Sequence, residues 1–383
     1  MLDEQTAAPP RKNAEPERYE LMHEPSSAPS AREPLDELFR EVAIDPLPPS
    51  TPDAIVVENL AKRYPDGTEA VRGISFRVRR GEFYGILGPN GAGKSTTISM
   101  LGTLVRPASG RALVAGVDVA EYPRRVQSQI GFAMQEVGVD DLATGLEFLV
   151  LQGRLNGLPR RESEKRAHLL LRLVDMQDAA GKRMGVYSGG MKRRADLASA
   201  LIHMPPILFL DEPTEGLDPR GRVAIWETLR RLNKEHAITV VLTTHYMEEA
   251  DRLCDRIGII DQGRIVLEGT PEELKASVGG QSLILSYGSE ASGQTLALAR
   301  AALIGRPDVR DVVATNGHFS VFVEDAARLA PELLRILERE DAAPKAISIK
   351  QPTLEDVYLR YTGRTFERAE STSPNRAQRS DRT

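Results

Sequence analysis

The stretch that most constrains this 383-residue chain is Tyr84-Gly85-Ile86-Leu87-Gly88-Pro89-Asn90-Gly91-Ala92-Gly93-Lys94-Ser95-Thr96. A strand-like apolar run opens onto glycines spaced G-x-x-x-x-G-K-S over residues 88–95, and a helical pattern follows. Glycines so spaced let backbone N–H groups converge on phosphate oxygens, while the helix points its positive end at the same anion. The expected contacts are Gly88, Pro89, Asn90, Gly91, Ala92, Gly93 and Thr96 around the phosphates, with Lys94 reaching the β- and γ-phosphates and the Ser95 hydroxyl ligating Mg²⁺. Ile98, Leu101 and Leu104 are expected to turn the helix toward a core. The loop specifies a nucleoside triphosphate and not its use.

A second stretch answers the first. The continuous apolar run Ile207-Leu208-Phe209-Leu210, suited to a strand buried on both faces, ends in Asp211-Glu212. Asp211 is the candidate for holding Mg²⁺, and Glu212, closer to the γ-phosphate, for polarising the attacking water. A helix around Ile225, Trp226, Leu229 and Leu232 leads to another buried run, 238–242, closing at Thr243-Thr244-His245. Strands separated by helices imply right-handed crossovers and a mostly parallel sheet, whose ligands collect at the strands' carboxyl ends. Gly88, Asp211 and His245 are therefore expected at one edge.

Ser188-Gly189-Gly190, entering a helix behind Tyr187, forms a second anion cradle or, more simply, a serine cap and a tight turn. One γ-phosphate needs one cradle, so two in one chain suggest that two chains share nucleotides.

Taken in order, these segments resemble the nucleotide-binding subunit of an ATP-binding-cassette transporter over residues 54–270. The resemblance makes residues 88–95 the Walker A loop, Gln135 the Q-loop, Ser188-Gly189-Gly190 the signature and 207–211 Walker B. Glu212 becomes the catalytic glutamate, Gly216-Leu217-Asp218 the D-loop and His245 the switch histidine. Tyr64 resembles the residue that stacks on adenine. The family implies a P-loop α/β fold with an antiparallel β-subdomain and a helical subdomain near 136–200. It also implies ATP and Mg²⁺, a head-to-tail dimer and a separate transmembrane permease. In it Gln135 contacts Mg²⁺ and senses the γ-phosphate, and His245 hydrogen-bonds that phosphate. Two departures stand out: Y-S-G-G-M replaces the commonest L-S-G-G-Q at Tyr187 and Met191, and Glu215 precedes the D-loop glycine. The Y-S-G-G-M-K-R-R variant, residues 139–145 and the ending 352–364 are similar to daunorubicin-resistance-type exporter ATPases, which implies export of a drug, antibiotic or lipid-like compound.

Composition sets the remaining bounds. With 41% hydrophobic and 27% charged residues the chain is globular in character, and it contains no apolar run approaching the ~18 residues of a membrane span. Membrane work is thus expected through a partner, at the cytoplasmic face. A net charge of −5 argues against a nucleic-acid partner, and the single cysteine excludes an internal disulfide. The expected divisions are a disordered proline-rich arm over 1–52, with one short amphipathic helix at Leu35, Leu38, Phe39 and Val42, a cassette over 53–275, a small α+β domain over 276–366, and a disordered polar tail over 367–383. Two other readings stay open: a soluble cassette acting on ribosomes or DNA, and a nucleotide-dependent regulator using the α+β domain.

Overall fold

The computed structural model describes residues 53–134, 141–288, 291–315 and 317–363, together with Asp36 and Phe366. The arm's expected amphipathic helix, apart from Asp36, and Gln135 and the tail lie outside the described residues.

Three sheets organise the chain. The first is antiparallel, in the order β2-β1-β4-β5, from β1 (Asp53–Arg63), β2 (Glu69–Arg79), β4 (Ser109–Val114) and β5 (Val117–Asp118). In β2 Ile74, Phe76 and Val78 are buried while Arg77 and Arg79 face water, the period-2 signature of a half-buried strand. β4 opens on Ser109, which pairs with Ala61, and Gly110 at φ 81° sits where the register of the two strands shifts.

The second sheet has the order β10-β9-β3-β8-β7-β6 and is parallel except for its edge strand β10. It comprises β3 (Phe83–Leu87), β6 (Ile130–Ala133), β7 (Ile207–Asp211), β8 (Thr239–Thr244), β9 (Arg256–Asp261) and β10 (Arg264–Gly269). Every residue of β3, β7 and β8 is buried, because each strand is covered on both faces. Alternate residues go opposite ways: Tyr84, Ile86, Ile207 and Phe209 pack toward the antiparallel sheet, whereas Phe83, Leu87, Leu208 and Leu210 pack under the helices. The sequence reading overlooked β6, a four-residue run too short to declare a period.

Helices Gly145–Leu155, Arg160–Leu173 and Gly189–Leu201 form the region between β6 and β7. The loop helix, Lys94–Leu101, buries Ile98 and Leu101, but Leu104 is 51% exposed. The helix stops at Gly102 and Thr103 turns to φ 62°, which swings Leu104 off the apolar stripe.

The third sheet, β12-β13-β11-β14, is antiparallel throughout, formed by β11 (Gln281–Ser286), β12 (Val309–Thr315), β13 (His318–Val323) and β14 (Ala346–Lys350). With helices Gly293–Leu303 and Ala326–Arg339 it makes a β-α-β-β-α-β unit with its own core around Leu283, Val321 and Leu333. Phe322, on the opposite face, joins the main core with Leu354, Val357 and Tyr358 of the helix Leu354–Thr362.

Candidate functional site

β3 delivers Gly88 to the carboxyl edge of the parallel sheet, where its N–H donates to the Thr244 carbonyl at 3.2 Å. Gly93 sits at φ 108°, and a Cβ there would lie 2.5 Å from the Ala70 carbonyl oxygen. At Gly88 a Cβ would come within 2.3 Å of the Ile260 carbonyl oxygen. Both positions therefore require glycine, one for conformation and space, the other for space alone. The loop runs directly into its helix, and the Thr97 hydroxyl donates back to the Gly93 carbonyl at 2.8 Å.

Lys94 is only 4% exposed. Its ammonium donates to the carbonyls of Gly88 at 2.8 Å and Pro89 at 3.1 Å, and pairs with Glu212 Oε1 at 3.1 Å. The other glutamate oxygen lies 3.0 Å from His245 Nδ1. Burial alone would raise the Glu212 pKa, but the His245 hydrogen bond and the Lys94 charge outweigh it and hold the carboxyl down to about 2. Glu212 is thus an anion at neutral pH, gripped from two sides. Its backbone is strained, at φ 52° in the left-handed region, with its N–H donating to the Thr243 carbonyl at 3.1 Å.

Asp211 stands beside it at the end of β7. Its Oδ1 accepts from the Ser95 hydroxyl at 3.0 Å and from the Thr243 hydroxyl. Burial pushes the Asp211 carboxyl up, against those two hydrogen bonds. A serine hydroxyl and a carboxylate oxygen within bonding distance of each other form a hard oxygen pair, which fits Mg²⁺. Tyr64, half-buried, reaches the same loop, with its hydroxyl 3.4 Å from Thr96 Oγ1 and Lys62 Nζ 5.3 Å from its ring centroid.

Lys94, Ser95, Asp211, Glu212 and His245 therefore form one bonded set at the expected edge. Ser188, Gly189 and Asp218 are placed differently, exposed on the surface. Ser188 Oγ accepts from the Met191 N–H at 3.3 Å as the cap of its helix, and Asp218 Oδ1 accepts from the Gly221 N–H at 3.3 Å as the cap of the helix Pro219–His236. The two caps are neighbours, since a Cβ on Gly190 would touch Leu217 Cδ2 at 2.9 Å.

The unusual signature residues have clear surroundings. The Tyr187 ring is buried, its hydroxyl donates to the Ala179 carbonyl at 2.7 Å, and a Cβ on Gly145 would lie 2.2 Å from that hydroxyl. Met191 packs at the margin of the main core, and Glu215 is exposed. Sequence reasoning missed Thr243, which holds Asp211, and two buried charges near the site, Arg193 and Glu249. A threonine closing an apolar run was a readable signal, but a charged residue within a helix reads as solvated.

Comparison with known proteins agrees with this geometry. Residues 71–215 match the ABC transporter family, and residues 269–362 match the C-terminal domain of DrrA1-3-like ATP-binding proteins. The chain is 42% identical over 320 residues to the daunorubicin resistance ATP-binding protein DrrA2 of Streptomyces coeruleorubidus, covering 83% of this chain and 98% of that protein. The chain belongs to the ABC transporter ATP-binding proteins. Among other members of the family, the linearmycin resistance ATP-binding protein LnrL of Bacillus subtilis is 38% identical, over 81% of this chain and 98% of its own. The ATP-binding cassette MJ0796, solved as a dimer bound to ADP and phosphate, superposes with a TM-score of 0.54 at 28% identity, covering 56% of this chain and 98% of that one. Like the rest of the family, this ABC protein binds and hydrolyses ATP. No helix among its described residues is long and apolar enough to cross a membrane.

Proposed function

We propose that this ABC protein is the motor of an exporter, closing with a second copy of itself around two ATP molecules and driving a separate permease at the cytoplasmic face of the membrane. The observation that carries this reading is the division of the site. One bonded set at the sheet edge holds the lysine, the acids and the histidine, while the capping serine of the signature stands exposed on its own helix. A second subunit's triphosphate is the natural occupant of that exposed cap, because a helix N-terminus with free N–H groups favours an anion.

Within one copy, residues 88–96 cradle the phosphates and Tyr64 flanks the adenine. Ser95 and Asp211 hold Mg²⁺, with Gln135 as a further oxygen donor; the ion would screen the phosphate charge. Glu212 accepts a proton from the attacking water. While paired with Lys94 it is a weak base, since a carboxyl held near 2 has little proton affinity. A triphosphate competing for the Lys94 ammonium would release Glu212 and raise its basicity as substrate arrives. His245 keeps hold of the other oxygen and orients the carboxylate.

The cargo follows from the relatives, named for resistance to daunorubicin, doxorubicin and linearmycin. An amphiphilic antibiotic-like compound is the class to test. The deciding experiment co-purifies the full-length protein from membranes with whichever permease it retains and measures ATP-dependent uptake of daunorubicin into inverted vesicles. Uptake lost with Glu212→Gln supports export; ATP turnover with no membrane partner and no uptake sinks it.

A further inference from the structure

Arg193 is the best-connected buried charge that the mechanism leaves unused. It lies one turn into the helix capped by Ser188 and is 6% exposed. Its guanidinium donates to three main-chain carbonyls: Nε to Pro213 at 3.1 Å, Nη1 to Met134 and Nη2 to Asp211. Asp196, one turn further, places Oδ2 3.6 Å from Nη1.

The identity of those carbonyls gives the contact its meaning. Met134 ends the segment leading into Gln135. Asp211 and Pro213 flank Glu212, the residue with the strained backbone. A planar fork with its donors in fixed directions cannot follow one of these carbonyls without turning as a whole, and it is fixed to the helix that carries Ser188. The backbone that positions this subunit's water-activating acid is thereby tied to the cap offered to the neighbouring subunit's nucleotide.

We infer that Arg193 is a positioning residue that couples the two nucleotide sites: triphosphate engaged at residues 88–96 sets, through Arg193, the pose of Ser188 toward the partner copy. This inference rests on the two-copy reading above. A coupling between binding sites is typically worth about 5–150-fold in affinity. A lysine at position 193 keeps the charge but not the fork, so it reaches one carbonyl and not three.

The test uses the full-length protein in a Glu212→Gln background, which holds ATP without turnover. Two quantities are compared: ATP binding by the isolated subunit at high dilution, and the ATP concentration that drives dimerisation at higher protein concentration. With Arg193→Lys we expect single-subunit binding within about twofold of the parent and a dimerisation requirement raised about tenfold. Asp196→Asn, which keeps the guanidinium fork, is the control expected to dimerise like the parent. Arg193→Gln, which loses the fork, is the second variant should Arg193→Lys fold poorly, with the same rise of about tenfold expected. Equal dimerisation by Arg193→Lys and its parent, or an equal loss in Asp196→Asn, overturns the coupling. A parent that stays monomeric at saturating ATP instead overturns the two-copy reading itself.

Discussion

The ammonium of Lys94 lies 3.1 Å from Glu212 Oε1, and both side chains are only 4% exposed. The phosphate-loop lysine and the acid proposed to activate water are thus each other's counter-ion, with His245 on the far side of the carboxylate. Replacing Glu212 by Gln removes the proton acceptor while leaving the shape, so steady-state phosphate release is expected to fall about 10²–10⁴-fold. ATP binding should survive, because the loop and Lys94 are intact. Turnover at the parental rate would show that another group activates the water.

The same pair predicts an acid limb of stability. Glu212 falls from an ordinary 4.5 to about 2 in the folded chain, so the folded state holds this carboxyl's proton less tightly than the unfolded state. Its contribution is complete above the ordinary value and is lost as pH drops toward 2. The denaturation midpoints of the parent and of Glu212→Gln should therefore converge with acidification across that window. A constant difference would mean that the ion pair and the histidine contact contribute nothing net.

Gly93→Ala tests the loop geometry. The methyl would lie 2.5 Å from the Ala70 carbonyl oxygen at a backbone φ of 108°. Conformational strain of roughly 1–3 kcal/mol and the clash act together, so the loop must reshape. Titration with a fluorescent ATP analogue is expected to show binding weakened beyond measurement, with the rest of the fold retained by circular dichroism.

Much of this architecture was legible in the chain because its strongest signals are local. The glycine spacing fixed the loop, and continuous apolar runs declared β3, β7 and β8. What the sequence hid depends on tertiary packing. Leu104 has the right spacing for a core helix, yet the helix ends before reaching it. Tyr187 looked like a departure without a role until the Ala179 carbonyl and the bare Gly145 backbone were seen to accommodate its hydroxyl. Arg193 and Glu249 are charged residues on helices, and nothing in a one-dimensional pattern reveals that both are buried.

Tyr187→Phe isolates that hydroxyl. It removes one of two donors to the Ala179 carbonyl, which still accepts from the Lys182 N–H at 2.9 Å, at a cost of about 1 kcal/mol. In a 383-residue chain the melting temperature should drop by only about 1 °C in a thermal scan. Because Tyr187 immediately precedes the Ser188 cap, ATP-driven dimerisation should weaken while binding to the isolated subunit is unchanged. A variant as stable as the parent would make the hydroxyl incidental to the packing.

Glu249, 0% exposed, carries the last prediction. Its Oε1 accepts from the Thr214 hydroxyl at 2.8 Å and from the Trp226 indole N–H at 2.9 Å, joining the segment after Glu212 to the helix that begins at the D-loop. Glu249→Ala leaves both donors buried without an acceptor, which should cost about 3 kcal/mol or more in a urea titration. Glu249→Gln keeps a carbonyl oxygen there and should cost under about 1 kcal/mol. Burial pushes the Glu249 pKa up against its hydrogen bonds, so the folded chain binds this proton more tightly than the unfolded chain. Raising the pH through the ordinary carboxylate range therefore lowers parental stability, whereas the amide has no proton to lose. The midpoint of Glu249→Gln relative to the parent is expected to climb with pH. A midpoint of Glu249→Gln that falls relative to the parent as pH rises would show that this carboxylate is more comfortable ionised inside the protein than in water.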